Sequence, residues 1–435
     1  MTGQPAAAGS EDQRGAPRAG ATPGRPLLPG QPGRPDVFTF GETMVALRGS
    51  GPLKLGGTMN VSIAGAESNV AIGLARLGHD VRWAGAVGED EAGQLVLRTL
   101  RAEGVGVSGA STDPGAPTGL LLFEPRLPEV TRVHYYRAGS AGSRIGAGVI
   151  QRAFSAAPPR VLHLTGITPS LSPTARAAAR LVLQLAREVG SLVCLDVNFR
   201  ARLWTAEAAA EVLREWIPFV DVLIASDDEL PLCLPGGGGG GGEGSPGGGE
   251  GSQRAKGTAG ANEDLGAEGA GAGMGAEGAD GVLGADGGMA RWASEQEGAT
   301  APEGAGACGD AVPFPPQEVA SDPAATVAAQ ARLLLDHGVG EVVVKLGVEG
   351  ATTFTHGGSL HQPAKPVRAV DAVGAGDAFV AGYLSALLDG EGPAGRLERA
   401  VTTGAFAVAS PGDWEGAPTR AELGMLGAPP GTVVR

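Results

Sequence analysis

The run DAVGAGDAFVAGYLSALL at 371–388 has the composition of a chemical site: Gly374, Ala375 and Gly376 lead directly into an amphipathic helical pattern. A glycine-rich turn that opens a helix leaves backbone N–H groups without acceptors and aims them, with the positive end of the helix dipole, at one spot. Such a spot suits a phosphate or a developing negative charge. Asp377, in the first turn, would repel a phosphate already seated there. It makes sense as a base, because an aspartate beside a transferring phosphoryl group can take the proton of an attacking hydroxyl. The plainer alternative is that Asp377 only caps the helix.

Other nucleotide signatures are missing. The four lysines are Lys54, Lys256, Lys345 and Lys365, and none precedes Ser or Thr, which removes the G-K-[ST] phosphate loop. GETMV follows the first apolar strand, VFTF, where a dinucleotide fingerprint would stand, and this argues against an NAD dehydrogenase. The histidines at 79, 134, 163, 337, 356 and 361 show no metal-ligand spacing, and Cys194, Cys233 and Cys308 form no zinc pattern.

Holding such a turn in place requires a scaffold, and the hydrophobic pattern supplies one. Strands are expected at 37–40, 80–88, 160–166, 191–196, 221–226 and 341–347, with two short ones to about 361. Helices are expected at 66–78, 89–104, 173–189, 206–216, 324–337, 376–389 and 394–409. Strands alternating with helices of ten or more residues predict βαβ units, hence a doubly wound α/β fold with a mostly parallel sheet and helices on both faces. The stretches 43–63 and 117–137 break the rhythm, and TGLLLFE and TRVHYY lie within the second with no helix between them. They predict a small antiparallel sheet, either a lid over the ligand crevice or an edge hairpin.

About a quarter of the chain is Gly or Pro, and the excess is local. Residues 236–310 contain 28 Gly and a net charge of −9 out of the chain's −14, with no periodicity, and predict a disordered insertion. Residues 1–35 and 421–435 read as tails, leaving a body at 36–420 able to bury a full core. No basic stripe exists for nucleic acid to find, and no run of about 18 apolar residues for a membrane. Three unpatterned cysteines, and a start without an apolar leader, predict a cytoplasmic protein.

Taken in order, the motifs resemble those of the ribokinase-like (PfkB-type) carbohydrate kinases. GAESNVAIGLARLG (65–78) and GAVGEDEAG (85–93) resemble the family's N-terminal signature, and DAVGAGDAF its C-terminal one. Between them YYRAGSAGS, DVNFRARLW, ASDDEL and VVKLGVEGA resemble the subgroup of 2-keto-3-deoxygluconate kinases, with the match covering about 37–420. The resemblance implies ATP and Mg²⁺ as cofactors and phosphorylation of a sugar acid's terminal hydroxyl. A neutral-sugar kinase and a non-catalytic sugar sensor on the same fold are the alternatives. Asp377 is then the base, and Gly374, Ala375 and Gly376 the transition-state donors. Gly65, Asn69 and Tyr135 would contact the sugar, while Arg137 and Arg200 would grip its carboxylate with paired guanidinium donors. Ser226, Lys345, Gly347, Gly350 and Ala351 would line the nucleotide cleft, and Glu229 would hold the hydration shell of the metal. An exposed lid edge would be where a second copy pairs.

The chain departs from the family pattern at five places, one of them Ser226, which replaces the wider family's Asn as the subgroup also does. Ala64 replaces the first of two glycines, Ala372 a threonine before the turn, Leu121 a sugar-facing tyrosine, and Val401 an asparagine near the adenine. The last predicts a base held by apolar contact.

Overall fold

The computed structural model describes residues 27–127, 130–235, 323–428 and 432. The insertion expected at 236–310 lies outside the described residues, as do residues 1–26. In chain order come β1 (Val37–Phe40), β2 (Met44–Gly49), β3 (Met59–Ala64), α1 (Ala66–Arg76), β4 (Val81–Ala84), β5 (Ala86–Gly88) and α2 (Glu91–Ala102). Next are β6 (Ser111–Asp113), β7 (Leu120–Leu127), β8 (Val130–Tyr136), α3 (Ala147–Ala156) and β9 (Val161–Thr165). The single turn α4 (Thr168–Leu171), α5 (Pro173–Val189), β10 (Leu192–Asp196), α6 (Ala206–Trp216) and β11 (Val222–Ser226) follow. The remainder is α7 (Pro323–Asp336), β12 (Glu341–Lys345), β13 (Ala351–Thr355), β14 (Gly358–Gln362), α8 (Ala375–Leu388) and α9 (Pro393–Val408).

Eight strands form the main sheet in the order β14-β13-β12-β11-β10-β9-β1-β4. Neighbours run parallel from β4 to β12, and the last two pairings are antiparallel. From β1 the chain goes first to β4 on one side and later to β9 on the other, so the order reverses between β1 and β9. Crevices open at such a reversal, beyond the carboxyl ends of the strands.

Burial on both faces explains the β-branched runs. Along β10, Leu192 and Cys194 join one apolar cluster and Val193 and Leu195 the other. β11 alternates the same way. Helices α1, α2, α8 and α9 cover one face, and α3, α5, α6 and α7 the other. Side chains of Asp90, Ser172 and Thr205 cap the starts of α2, α5 and α6 by accepting N–H groups that have no helical partner.

Three expectations need correction. The stretch expected as one strand at 80–88 divides at Gly85, and β5 leaves the main sheet to pair with β6. The second sheet, ordered β3-β2-β7-β8, is mixed rather than antiparallel: two hairpins meet through β2 and β7, which run parallel because both leave the body from the same rim. Residues 27–35, expected in the N-terminal tail, are docked. Leu27 packs on the core, Arg160 donates to the Leu28 carbonyl at 2.8 Å, and Arg34 donates to that of Pro159 at 3.1 Å. Beyond residue 420, Leu423–Met425 forms a short turn against α9.

Candidate active site

A cleft of about 1570 Å³ opens at the carboxyl ends of β10, β11 and β12, between the main sheet, the start of α8 and the inner side of the second sheet. Each strand end contributes a functional group. Asp196 closes β10, Ser226 closes β11, and Lys345, its register partner, closes β12.

The turn before α8 is built by a chain crossing. Gly374 has φ +76°, and a side-chain carbon there would collide with the Asp413 carbonyl, so no other residue type fits. Ala375 N–H is partly used, donating to Ala372 O at 3.3 Å. Over residues 374–377, the donors left without acceptors among the described residues are those of Gly374, Gly376 and Asp377. This amends the expected trio by exchanging Ala375 for Asp377.

Asp377 is buried, and its carboxylate accepts from Asn69 Nδ2 at 2.8 Å. Burial drives its pKa up to about 7, with Asp196 adding to the rise and Asn69, Arg200 and Lys345 opposing it. A carboxyl poised near neutrality inside a cleft can take and release a proton. The other end of the Asn69 amide, Oδ1, is buried without a hydrogen-bond partner.

Opposite, Lys345 Nζ pairs with Asp196 at 2.9 Å and lies 3.8 Å from where a side-chain carbon on Gly376 would sit. Burial works against its charge, but Asp196, Glu229 and Asp377 outweigh burial and hold its pKa above the usual lysine value. Asn198 also donates to Asp196, at 3.1 Å, and carries the one positive φ (+41°) outside glycine among the described residues. Glu229 accepts backbone N–H groups from Phe199 at 2.7 Å and Ser226 at 2.9 Å, one on each oxygen, which fixes both strand-end loops.

The wall toward the second sheet carries the arginines. Arg137 is committed: Nε and Nη2 both reach Oε2 of the buried Glu42, at 2.8 and 2.5 Å, and Ser140 donates to the other oxygen. Arg200 lines the same cleft, and its guanidinium has no ion pair or hydrogen bond among the described residues. Arg202 donates to the Val133 carbonyl at 3.2 Å and lies 5.9 Å from the Tyr135 ring, tying β8 to the loop after β10.

The family model for pfkB family carbohydrate kinases matches residues 34–235 and 315–420. The chain belongs to the pfkB family of carbohydrate kinases. Relatives of this kinase include a 2-dehydro-3-deoxygluconokinase of Bacillus subtilis, 30% identical, covering 89% of this chain and 94% of the relative. Another, from Thermoproteus tenax, is 29% identical, covering 90% and 93%. The crystal structure of a PfkB protein from Polaromonas sp. superposes with a TM-score of 0.62 at 30% identity, covering 90% of this chain and 99% of that one.

The kinase fold brings nearly all the expected residues to one cleft. Gly65, Asn69, Tyr135, Arg137 and Arg200 line it with the turn at 374–377, as do Ser226, Glu229, Lys345, Gly347 and Gly350. Ala351 does not. It is fully buried in β13 as core, and Gly350 beside it is required because its φ is +104° and the Gln362 carbonyl crosses where a side chain would sit. The substituted positions Ala64, Leu121, Ala372 and Val401 all face the cleft. Sequence reasoning passed over Asp196 and Asn198, although both stand in the DVNFR motif that yielded Arg200.

The donor set fits a nucleotide whose metal keeps its water. No group of three or more His, Cys, Asp or Glu side chains able to hold a metal occurs among the described residues, and the unpaired N–H groups and Lys345 suit phosphate oxygens.

Proposed function

We propose that this kinase transfers the γ-phosphoryl group of ATP to the terminal hydroxyl of a sugar acid, 2-keto-3-deoxygluconate, yielding the 6-phosphate and ADP. One observation carries the reading: Asp377 stands on the first turn of α8, next to unpaired backbone donors, with its pKa lifted to about 7. The sugar's terminal oxygen loses its proton to Asp377 as it attacks phosphorus in line, and the bond from phosphorus to the β,γ-bridging oxygen breaks. Donors at Gly374, Gly376 and Asp377 and the Lys345 ammonium receive the charge that spreads over the phosphoryl oxygens. Mg²⁺, when bound with ATP, would add charge neutralisation on the β- and γ-phosphates, and Glu229, a carboxylate of the cleft wall, would hold part of its hydration shell.

Arg200 supports an acidic sugar. Its guanidinium has no ion pair or hydrogen bond among the described residues, and a guanidinium offers a carboxylate two parallel donors. Arg137, expected in the same role, shapes the wall through Glu42 instead. Leu121, Phe123 and Val133 of the second sheet cover the cleft with apolar surface and keep water from the transferring group. The reading places the enzyme in the cytoplasm, where ATP is plentiful, and the free, buried thiols of Cys194 and Cys233 are consistent with a reducing compartment.

The test is an ATP-consumption screen of purified enzyme across sugar acids and neutral hexoses. The expected result is the highest kcat/KM with 2-keto-3-deoxygluconate. Equal or faster turnover of fructose would replace the substrate, and no turnover of any sugar would remove the catalytic reading.

A further inference from the structure

Arg48 belongs to β2, in the second sheet, yet its guanidinium reaches across to the anion turn. Nη1 donates to Asp371 Oδ2 at 3.1 Å and Nη2 to Asp413 Oδ2 at 2.7 Å. Asp371 opens the turn that runs to Gly376, and its Oδ1 accepts the Val373 N–H at 3.0 Å. Asp413 is the residue whose carbonyl crosses over Gly374. One planar cation therefore holds both strands of that crossing, and it does so from the sheet that covers the sugar side.

Apolar contacts reinforce the link. Val373 packs on the second sheet's own cluster of Met44, Ala46, Ala64, Leu121 and Phe123. The Phe123 ring lies 4.1 Å from the Arg48 guanidinium carbon, a cation over an aromatic face. The crossing segment is also bound to β3, with Trp414 Nε1 donating to the Ile63 carbonyl at 3.1 Å and Ser62 to Glu415. The charge count is unbalanced. Burial pushes Asp413 up to about 6 against the pull of Arg48, and Glu415 and Asp371 push the same way. Without the guanidinium these like charges would part and the crossing would loosen.

We propose that Arg48 is a positioning residue that couples the second sheet to the anion turn, so that a sugar bound beneath that sheet tightens the grip on nucleotide phosphates. The inference rests on the kinase reading of the cleft given above. A ligand that favours the docked sheet shares its binding free energy with the second ligand, and the effect is reciprocal.

The experiment is calorimetric titration with the β,γ-imido analogue of ATP and Mg²⁺, with and without the sugar identified by the turnover screen. Wild type, Arg48→Ala, Arg48→Lys and Asp413→Asn are compared. In wild type the sugar is expected to tighten analogue binding about tenfold, an ordinary inter-site coupling. In Arg48→Ala the sugar effect falls below about twofold and kcat drops about 10- to 100-fold, while the affinity for sugar alone stays within about threefold. Arg48→Lys recovers only part, because an ammonium cannot span two carboxylates in one plane. Should Arg48→Ala fail to fold, Asp413→Asn carries the same readout with one prong removed. Full sugar-dependent tightening in the folded Arg48 or Asp413 variants overturns the proposal, as does its absence in wild type. So does an equal loss of sugar and nucleotide affinity, which marks a merely structural role. A wild type that turns over only a neutral hexose corrects the substrate and leaves the coupling to be measured with that hexose.

Discussion

Asp377→Asn preserves size and the contact to Asn69 while removing both the proton acceptor and a buried negative charge, so it has two consequences of opposite sign. Loss of the base lowers kcat by about 10² to 10⁴, with substrate affinities little changed. Loss of the charge stabilises the fold at high pH. The folded-state pKa of Asp377 is raised to about 7 from an ordinary 3.8, so the folded protein binds this proton more tightly than the unfolded chain. The cost of ionising it in place is absent below about pH 4, grows by about 1.4 kcal/mol per pH unit as pH rises, and is complete above about pH 7, where it totals ~4 kcal/mol. Between pH 5 and pH 8 the stability gap between variant and wild type should widen by about 2–3 kcal/mol. That corresponds to about 5 °C in the thermal midpoint for a domain of this size. Differential scanning fluorimetry of both proteins at the two pH values reads the gap, and a coupled ADP assay reads kcat. In the wild type kcat/KM should also fall about tenfold per unit below pH 7, as Asp377 becomes protonated. Turnover within threefold of wild type, or a gap independent of pH, would refute the assignment.

Lys345→Gln should raise the KM for ATP and cost about 3–5 kcal/mol of stability, because Asp196 is left buried without its cation. A variant unchanged in urea melts would show that the pair is solvated. Arg200→Ala should lower kcat/KM about 100-fold for the sugar acid and hardly at all for a neutral hexose. Arg137→Ala, by contrast, should lower the melting temperature, since it strands Glu42. Equal losses of both substrates in the Arg200 variant would sink the carboxylate role.

What could be read before the fold was known follows the range of the forces involved. The βαβ rhythm and the turn at 374–376 are local patterns of apolar spacing and glycine, and α8 begins at Ala375, one residue from the expected start. The parallel join of β2 to β7 is not local. It brings together segments 70 or more residues apart, and nothing in either strand's composition encodes the direction of its neighbour. The same holds within the site. Arg137 stands in a matching motif, but its partner Glu42 lies 95 residues away, so a guanidinium expected to be open turned out to be engaged. Ala351 and Gly350 are adjacent, and only the crossing of the chain at Gln362 shows that one is packing and the other a passage for backbone. Arg48 and Asp413, separated by 365 positions, carry no local mark.

The passage of Asp413 over Gly374 also sets the timetable by which the enzyme becomes active during synthesis. Chains fold largely from the amino end as they emerge. All eight strands of the main sheet are complete by residue 362, but the strap that clamps the phosphate corner arrives only with residues 410–417. A ribosome halted after α8 but before that strap would display the architecture of a kinase with its phosphate corner unlatched, and so the nascent protein cannot spend ATP before residue 417 has emerged.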